Sequence, residues 1–528
     1  MEIIPFPIRR VKNYPVVSYD KNIKLELSCD YFTDIKCFRR YNVSRFSMRK
    51  KAPAVFRFLK ETKGGKEKLF YAPFYNKDIT MPASLCLQDA VSLLTERATA
   101  YGADGAESFA ASNIGISAEC RLQKAEALEY SKTAAVDLRV FCGKRQAVVS
   151  SSVLDEKSLD ELADRAVRMA KCVPEDPYCG LAESDMLAYD FPDLDLYDSD
   201  VPSTGALLEK AMKAEAAGLD VKGVVNSDGA SASYGSSEII MLSTAGFSKT
   251  FRLSGSGISA SLIAQDKNGG KETDYEYSSA VHASDLDSPE SVGKKAAQRT
   301  VGKLGAHKIE SAEMSVVFEP RHSKSLLGHF AAAINGAAVA RGTSFLKDCL
   351  NERLFPEHIG IIEEPLRKRG MNSRAFDSEG LPTATRAFIE NGVLTSWVLD
   401  LHSARRLGMK PTGNGVRPLG GTPHPSVSNL TLYGENISPE DLMSDIKRGV
   451  YITGLFGQGV NPVTGDYSKG ASGFMIENGR LTFPVHEITI AGNLKEMFSE
   501  LRAANDLEIR YAFNAPTVRS DRMSVAGK

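Results

Sequence analysis

The chain has 528 residues, 42% of them hydrophobic, with 65 Lys+Arg against 66 Asp+Glu, enough to bury sizeable cores in roughly two to four domains. No apolar run reaches the roughly 18 residues that a membrane-spanning helix needs, and the start lacks a signal peptide's apolar centre, so the chain reads as soluble and cytoplasmic. Eight cysteines, at 29, 37, 86, 120, 142, 172, 179 and 349, show no C-x-x-C and no paired spacing, which argues against a zinc ribbon or a disulfide framework and for reduced thiols.

The near-neutral total hides an asymmetry. Residues 1–80 hold 18 Lys+Arg against 8 Asp+Glu, with 14 Phe and Tyr and three Ala, while residues 81–528 carry a net charge of −11. A basic aromatic arm for nucleic acid or an anionic surface is one reading of the first block. An organellar targeting segment is another, poorly served by eight acids. The favoured reading is an over-extended gene start, with translation beginning at Met81, where the composition changes; the basic extension is then expected to be disordered.

The fold class expected for the rest is α+β, in three parts. In the N-terminal domain, 81–185, Leu87, Val91, Leu94 and Ala98 follow the helical period and Gly102 ends the run. Alternating segments at 107–116, 127–131, 135–141 and 146–151 predict an antiparallel meander. Ser158-Leu-Asp-Glu161 is a capping box that launches a second helix. The central domain, 186–312, begins in a Pro-, Asp- and Tyr-rich linker, followed by a helix at 205–217, short strands between 221 and 265 and a closing helix at 289–304.

A β-rich C-terminal domain with hairpins, 313–528, opens with the apolar strand Ser315-Val-Val-Phe-Glu319 and a small-residue helix at 323–340. Ile389-Glu-Asn-Gly-Val-Leu-Thr395 and Ile476-Glu-Asn-Gly-Arg-Leu-Thr482 nearly repeat each other. Asn-Gly between alternating flanks predicts two tight hairpins. Ser438-Pro-Glu-Asp441 predicts a helix start, with Ser as cap and acids at the positive end of the dipole.

Reagents are scarce. His486-Glu487 opens like the zinc motif H-E-x-x-H, but the fifth position is Ile490 and the β-branched surroundings predict a strand. His322 and His329 lie two helical turns apart, about 10 Å, too far for one metal. No G-x-S-x-G elbow occurs, and no cysteine has a setting that would lower its pKa. Gly413-Asn-Gly-Val-Arg-Pro-Leu-Gly-Gly421 resembles a phosphate loop only superficially, because Pro418 takes the third-glycine position and no Gly-Lys-Ser/Thr follows. Glu363-Glu364 reads as a solvated face. Residues 459–478 are dense in Gly and small polar side chains, which suits either main-chain contact with an extended peptide or a long, internally satisfied turn.

The same residues carry a resemblance. Gly459-Val-Asn-Pro-Val-Thr-Gly-Asp466, Gly470-Ala-Ser-Gly473, Ile476-Glu-Asn-Gly479, Pro484-Val485 and Glu487-Ile-Thr-Ile-Ala-Gly-Asn493 resemble the C-terminal signature of the TldD/PmbA family, on the PmbA (TldE) side. Arg341-Gly-Thr-Ser344 and Val316-Val-Phe-Glu-Pro320 agree, and the match spans Met81 to about Glu508. The resemblance implies a heteromeric zinc peptidase, in which TldD binds the metal through H-E-x-x-x-H and a later Cys and PmbA completes the cleft. Counted from Arg341, the histidine positions fall on Leu327 and Ala332 and the glutamate position on Gly328; counted from Ile476, the Cys position falls on Gly470. No catalytic residue, metal ligand or cofactor is therefore expected in this chain, and zinc is expected in a TldD-like partner.

Asn461, Thr464, Gly465, Asp466, Ser468 and Gly470 are the candidate substrate-cleft residues for an unfolded peptide, and a homodimer stays open. Two rivals stand beside this reading: an independent hydrolase using His322, Asp466 and His486, and a DNA- or gyrase-associated regulator. The charge of −11 over residues 81–528 opposes phosphate binding by the latter.

Overall fold

The computed structural model describes residues 85–528 and the backbone of four earlier strands. Among the latter, β1 (Val16–Ser18) pairs with β2 (Lys24–Glu26), and β3 (Val55–Glu61) pairs with β4 (Glu67–Pro73), both antiparallel. Apart from these strands, the expectation of a disordered extension over 1–80 lies outside the described residues.

Beyond residue 84 the strands are far longer than the sequence suggested. Helix α1 (Leu87–Ala100) is followed by β5 (Gly105–Arg121), β6 (Lys124–Cys142) and β7 (Arg145–Ser151), then by α2 (Glu156–Cys172). After α3 (Thr204–Leu219) come β8 (Val224–Ser243), β9 (Ser248–Gln265) and β10 (Lys271–Ala280), closed by α4 (Pro289–Gly302). All six strands form one antiparallel sheet in the order β10-β9-β8-β5-β6-β7. The first two stretches of the chain thus share a sheet, joined where β5 pairs with β8 from Glu107↔Ser243 to Cys120↔Ala230.

Alternation along the strands explains where the helices sit. Ala106, Ala110, Val136, Leu138 and Val140 face α1 and α2, and Ile116, Ala118, Ala230, Ala232, Tyr234, Ile258 and Ala260 face α3 and α4. These strand positions are all even-numbered and lie on one face. The β5–β6 turn is made by Leu122 and Gln123 at positive φ, +49° and +59°. Such a turn normally uses Asn or Gly; here the buried carboxylate of Glu215 on α3 accepts both backbone N–H groups, at 2.8 and 2.7 Å. The cap of α2 is Asp155, three residues before the predicted Ser158, whose N–H and hydroxyl both bond to the Asp155 carboxylate.

The C-terminal half starts with β11 (Ala312–Phe318), α5 (Pro320–Ala333) and α6 (Gly336–Arg341). The single predicted helix over 323–340 is two, because Asn335 leaves helical geometry and caps α6 through the Ala337 and Ala338 N–H groups. Strands β12 (Gly360–Glu363), β13 (Arg386–Glu390) and β14 (Val393–Leu394), helix α7 (Leu401–Leu407), the short pair β15 (Gly415–Val416) and β16 (His424–Pro425), then β17 (Leu430–Tyr433) and α8 (Pro439–Met443) follow. The chain ends with β18 (Arg448–Phe456), β19 (Asp466–Glu477), β20 (Arg480–Asn493), α9 (Leu494–Ser499), β21 (Arg502–Ala503), β22 (Phe513–Asn514) and β23 (Val518–Ala526).

Both Asn-Gly hairpins form as predicted, with Asn391 and Gly392 at +49° and +77° and Asn478 and Gly479 at +51° and +77°. Ser438 caps α8. One sheet runs β11-β18-β19-β20-β23-β21, and β23 also pairs with β11, so the ladder closes on itself; a five-stranded sheet runs β14-β13-β12-β17-β22. The architecture is α+β. None of the described helices is long and apolar enough to cross a membrane.

Helices α3 and α4 cross at Gly293, where an added Cβ would lie 1.8 Å from the Ala214 carbonyl oxygen and 2.8 Å from its carbon. Gly293→Ala therefore forces the helices apart and should cost about 1–3 kcal/mol, read as a lower urea midpoint. An unchanged midpoint would mean that this contact does not set the helix spacing.

Candidate functional site

Pro320 opens α5 at its first turn, and Leu326, Leu327, Phe330 and Ala333 turn into the C-terminal core. Leu327 is wholly buried, Gly328 looks onto open space and Ala332 is exposed. Gly470 lies within β19, paired to Phe456 of β18 and Thr489 of β20. The four positions that the family resemblance assigns to a zinc site thus present an isobutyl group, a methyl group and two glycines. None carries a donor atom, so these residues do not fit a metal. Among the described residues, no three His, Cys, Asp or Glu side chains group as a ligand set, so His322, Asp466 and His486 do not come together as one.

His322 and His329 are half-buried, each with its Nε2 shut off from solvent. His322 is 3.7 Å from a Glu319 oxygen, outside hydrogen-bond range, and the His329 ring meets Tyr467 edge-on at 6.1 Å between centroids. Neither Nε2 has a hydrogen-bond partner. Burial pushes both imidazoles down to about 4, helped at His329 by Lys469. His486 stands in β20, as predicted, 4.0 Å from Glu272, and the following Glu487 takes φ +49° and pairs with Lys308 at 2.6 Å.

The segment before β19 is tied to itself. Asn461 Oδ1 accepts the Val463 N–H at 3.0 Å, and the Gly465 N–H donates to the Asn461 carbonyl at 2.9 Å. Thr464 Oγ1 donates to Asp466 at 2.6 Å, and Asn493 Nδ2 donates to the Thr464 carbonyl and to Asp466, at 3.0 and 3.2 Å. These donors hold the Asp466 carboxyl below its ordinary value. The Ser468 N–H reaches the Gly459 carbonyl at 2.6 Å, an approach that only glycine permits at 459, where a Cβ would lie 1.4 Å from the Ser468 oxygen. Strand β19 is flanked on both sides by β18 and β20, so its main chain is occupied. The side chains of Asn461, Thr464, Asp466 and Ser468 remain exposed, whereas Gly465 is buried and Gly470 half-buried.

Two features escaped the sequence reading. Glu363 is not on a solvated face: it is 2% exposed, in β12 between β13 and β17, and its carboxylate accepts from Asn414 Nδ2 and the Ser428 N–H. The 413–421 segment is a plug. Arg417 pairs with Glu107 of β5 at 2.9 Å and with Asp137 of β6, whose other oxygen accepts the Gly420 N–H at 2.7 Å. Burial pushes the Asp137 carboxyl up to about 6, against the pull of Arg417 and Gly420. Beside this plug a cavity of about 820 Å³ opens between the helix-free sheet face and residues 191–197 and 370–378.

The two half-buried histidines give the fold an acid-sensitive element. Their folded values near 4 lie below an unfolded value of about 6.5, so the stabilisation is complete above pH 6.5 and is lost as pH falls towards 4. Each should cost about 2 kcal/mol between pH 7.5 and 5. His329→Phe should lose about that much less than the native chain over this interval, by urea titration at both pH values; equal losses would rule out a buried neutral His329.

Comparison with known proteins agrees with the fold. Family profiles described as PmbA/TldA metallopeptidase domain 1, central domain and C-terminal domain match residues 106–170, 197–304 and 311–527. The chain is 35% identical over 444 residues to the metalloprotease PmbA of Escherichia coli O157:H7, covering 84% of this chain and 96% of that protein. It is 34% identical over 443 residues to the PmbA homolog of Haemophilus influenzae, with the same coverage. Among solved structures, a proposed modulator of DNA gyrase from Bacteroides thetaiotaomicron superposes with a TM-score of 0.76 at 25% identity, over 84% of this chain and 99% of that one. TldE from Thermococcus kodakarensis shares the fold, with a TM-score of 0.74 at 20% identity over 83% of this chain and 100% of the other. The chain is a member of the PmbA/TldD metallopeptidase family, on its PmbA side.

Proposed function

We propose that this chain is the metal-free subunit of a heteromeric, TldD-type zinc peptidase, shaping the cleft in which a TldD-like partner cleaves unfolded peptides. The observation that carries this reading is the donor-free set Leu327, Gly328, Ala332 and Gly470. Hydrolysis of an amide by metal-bound water requires the metal to lower the water's pKa by many units, and nothing at these positions could hold that metal. Among the described residues, neither half-buried histidine of α5 has a hydrogen-bond partner at Nε2, and desolvation holds both imidazoles well below their ordinary value, so no imidazole–carboxylate couple on α5 replaces it.

What this chain's own residues supply is shape. The self-bonded turn at 459–466 and the exposed Asn461, Thr464, Asp466 and Ser468 side chains offer a rigid polar rim to an extended peptide. The maturing of modified peptides and the degradation of small unstable proteins are the roles in view, in the cytoplasm. A gyrase-associated role finds no support in the net charge of residues 81–528, −11.

Zinc content and cleavage of an unfolded test peptide, measured on the full chain alone and mixed with a TldD-like protein from the same source, test the proposal. The chain alone should hold no stoichiometric zinc and cleave nothing, and the partner should cleave only in its presence. Stoichiometric zinc with cleavage by the single chain would overturn it.

A further inference from the structure

The cavity of about 820 Å³ lies in the range of roughly 300–1,000 Å³ typical of small-ligand sites. One wall is aromatic: the ring of Phe376 lies 5.3 Å, centroid to centroid, from those of Phe191 and Phe251, with Phe247 buried behind it at 5.1 Å. Its charged groups are unevenly matched. Glu238 is engaged by Arg252 at 2.8 Å, Asp195 by Arg369 and His282, and Arg417 by Glu107 and Asp137. Asp377 accepts the N–H groups of Glu379, Leu381 and Gly415, and Asp193 accepts that of Asp195.

Two cations remain. Among the described residues, neither Lys249 nor Arg374 forms an ion pair. Lys249 Nζ is held 3.9 Å from the centroid of the Phe191 ring. Arg374 donates one N–H to the Ser426 carbonyl at 2.6 Å, while its buried Nε has no partner. Glu363, the nearby carboxylate that faces it electrostatically along with Asp377, is itself bonded to Asn414 and Ser428. An apolar space lined by a lysine outside any ion pair, with an arginine whose facing carboxylates Glu363 and Asp377 are already hydrogen-bonded elsewhere, is complementary to an apolar group that carries a carboxylate.

We propose that this cavity binds the C-terminal residue of a peptide, with its large apolar side chain against the Phe376 cluster and its free carboxylate held by Lys249 and Arg374. That the acid belongs to a peptide rests on the peptidase-subunit reading above; the carboxylate and the apolar group follow from the cavity. Bound there, a chain end anchors the substrate on this subunit and leaves the rest extended.

Calorimetric titration of the full chain alone, without partner or cleavage, tests this with three probes: an unstructured peptide ending in Phe with a free carboxylate, the same peptide amidated, and 3-phenylpropionate. The acid peptide should bind at least tenfold more tightly than the amide. Lys249→Met, which keeps the packing over Phe191, should weaken the acid peptide at least fivefold more than it weakens the amide. Equal affinities for acid and amide, no effect of Lys249→Met, or no binding at millimolar peptide would overturn the proposal. Phenylpropionate binding as tightly as the peptide would assign the cavity to free acids and overturn the peptide identity. Acid-dependent binding by a chain that supports no partner's cleavage would reject the peptidase reading while leaving the site in place.

Discussion

A guanidinium buried among carboxylates fixes how the two halves of the folded chain meet. Arg417 is 5% exposed and comes from a turn of the C-terminal half, yet its partners, Glu107 and Asp137, belong to the first sheet. Glu107 is shared with Arg139, and the turn's own Gly420 N–H completes Asp137. A charge taken out of water is tolerable only with its partners in place, and removing one member of such a pair costs about 3–5 kcal/mol. The plug therefore admits one seating of the C-terminal half on the helix-free face. The cavity beside it exists because that seating spans the sheet with Val416 and Arg417 as part of its wall.

Local chemistry was legible wherever a residue type is dictated by backbone geometry. Asn391-Gly392 and Asn478-Gly479 take the positive φ values that their turns require, and Ser438 bonds the third N–H of α8. Segment lengths were not legible. The stretches between the short strands expected over 221–265, such as Ser227–Gly229, Gly235–Ser237 and Ser256-Gly257, read as breaks, but in the structure they lie within β8 and β9. Their partners across the sheet are equally small, as in Gly115↔Gly235↔Gly255. Propensity measured as fit to a half-buried pleated surface underrates strands whose neighbours leave no side chain to fit against.

Site residues failed or succeeded for similar reasons. Glu363 looked like a solvated acid because nothing local marks its partners, Asn414 and Ser428, which are 51 and 65 residues away. Arg417 sat in a glycine-rich stretch that invited a phosphate, yet the anions it meets are the protein's own. The donor-free positions 327, 328, 332 and 470 were legible only as offsets from Arg341 and Ile476, since an absent ligand leaves no pattern of its own.

The geometry of α5 shows what an apolar residue does for the fold at the position that the family resemblance gives to a histidine. Gly328 and Ala332 are one turn apart on one face, whereas Leu327, about 100° around the helix, is drawn into the cluster of Phe330 and Leu326 and fully buried. Burial of a leucine side chain stabilises by roughly 1.5–3 kcal/mol, whereas a histidine there would have to be neutral and partnered to be tolerated. Metal ligands make folding depend on metal and on deprotonation; an apolar residue at 327 removes that dependence and ties α5 to the core by packing alone. Helix α5 is thereby held in the core by Leu326, Leu327 and Phe330 without help from any metal.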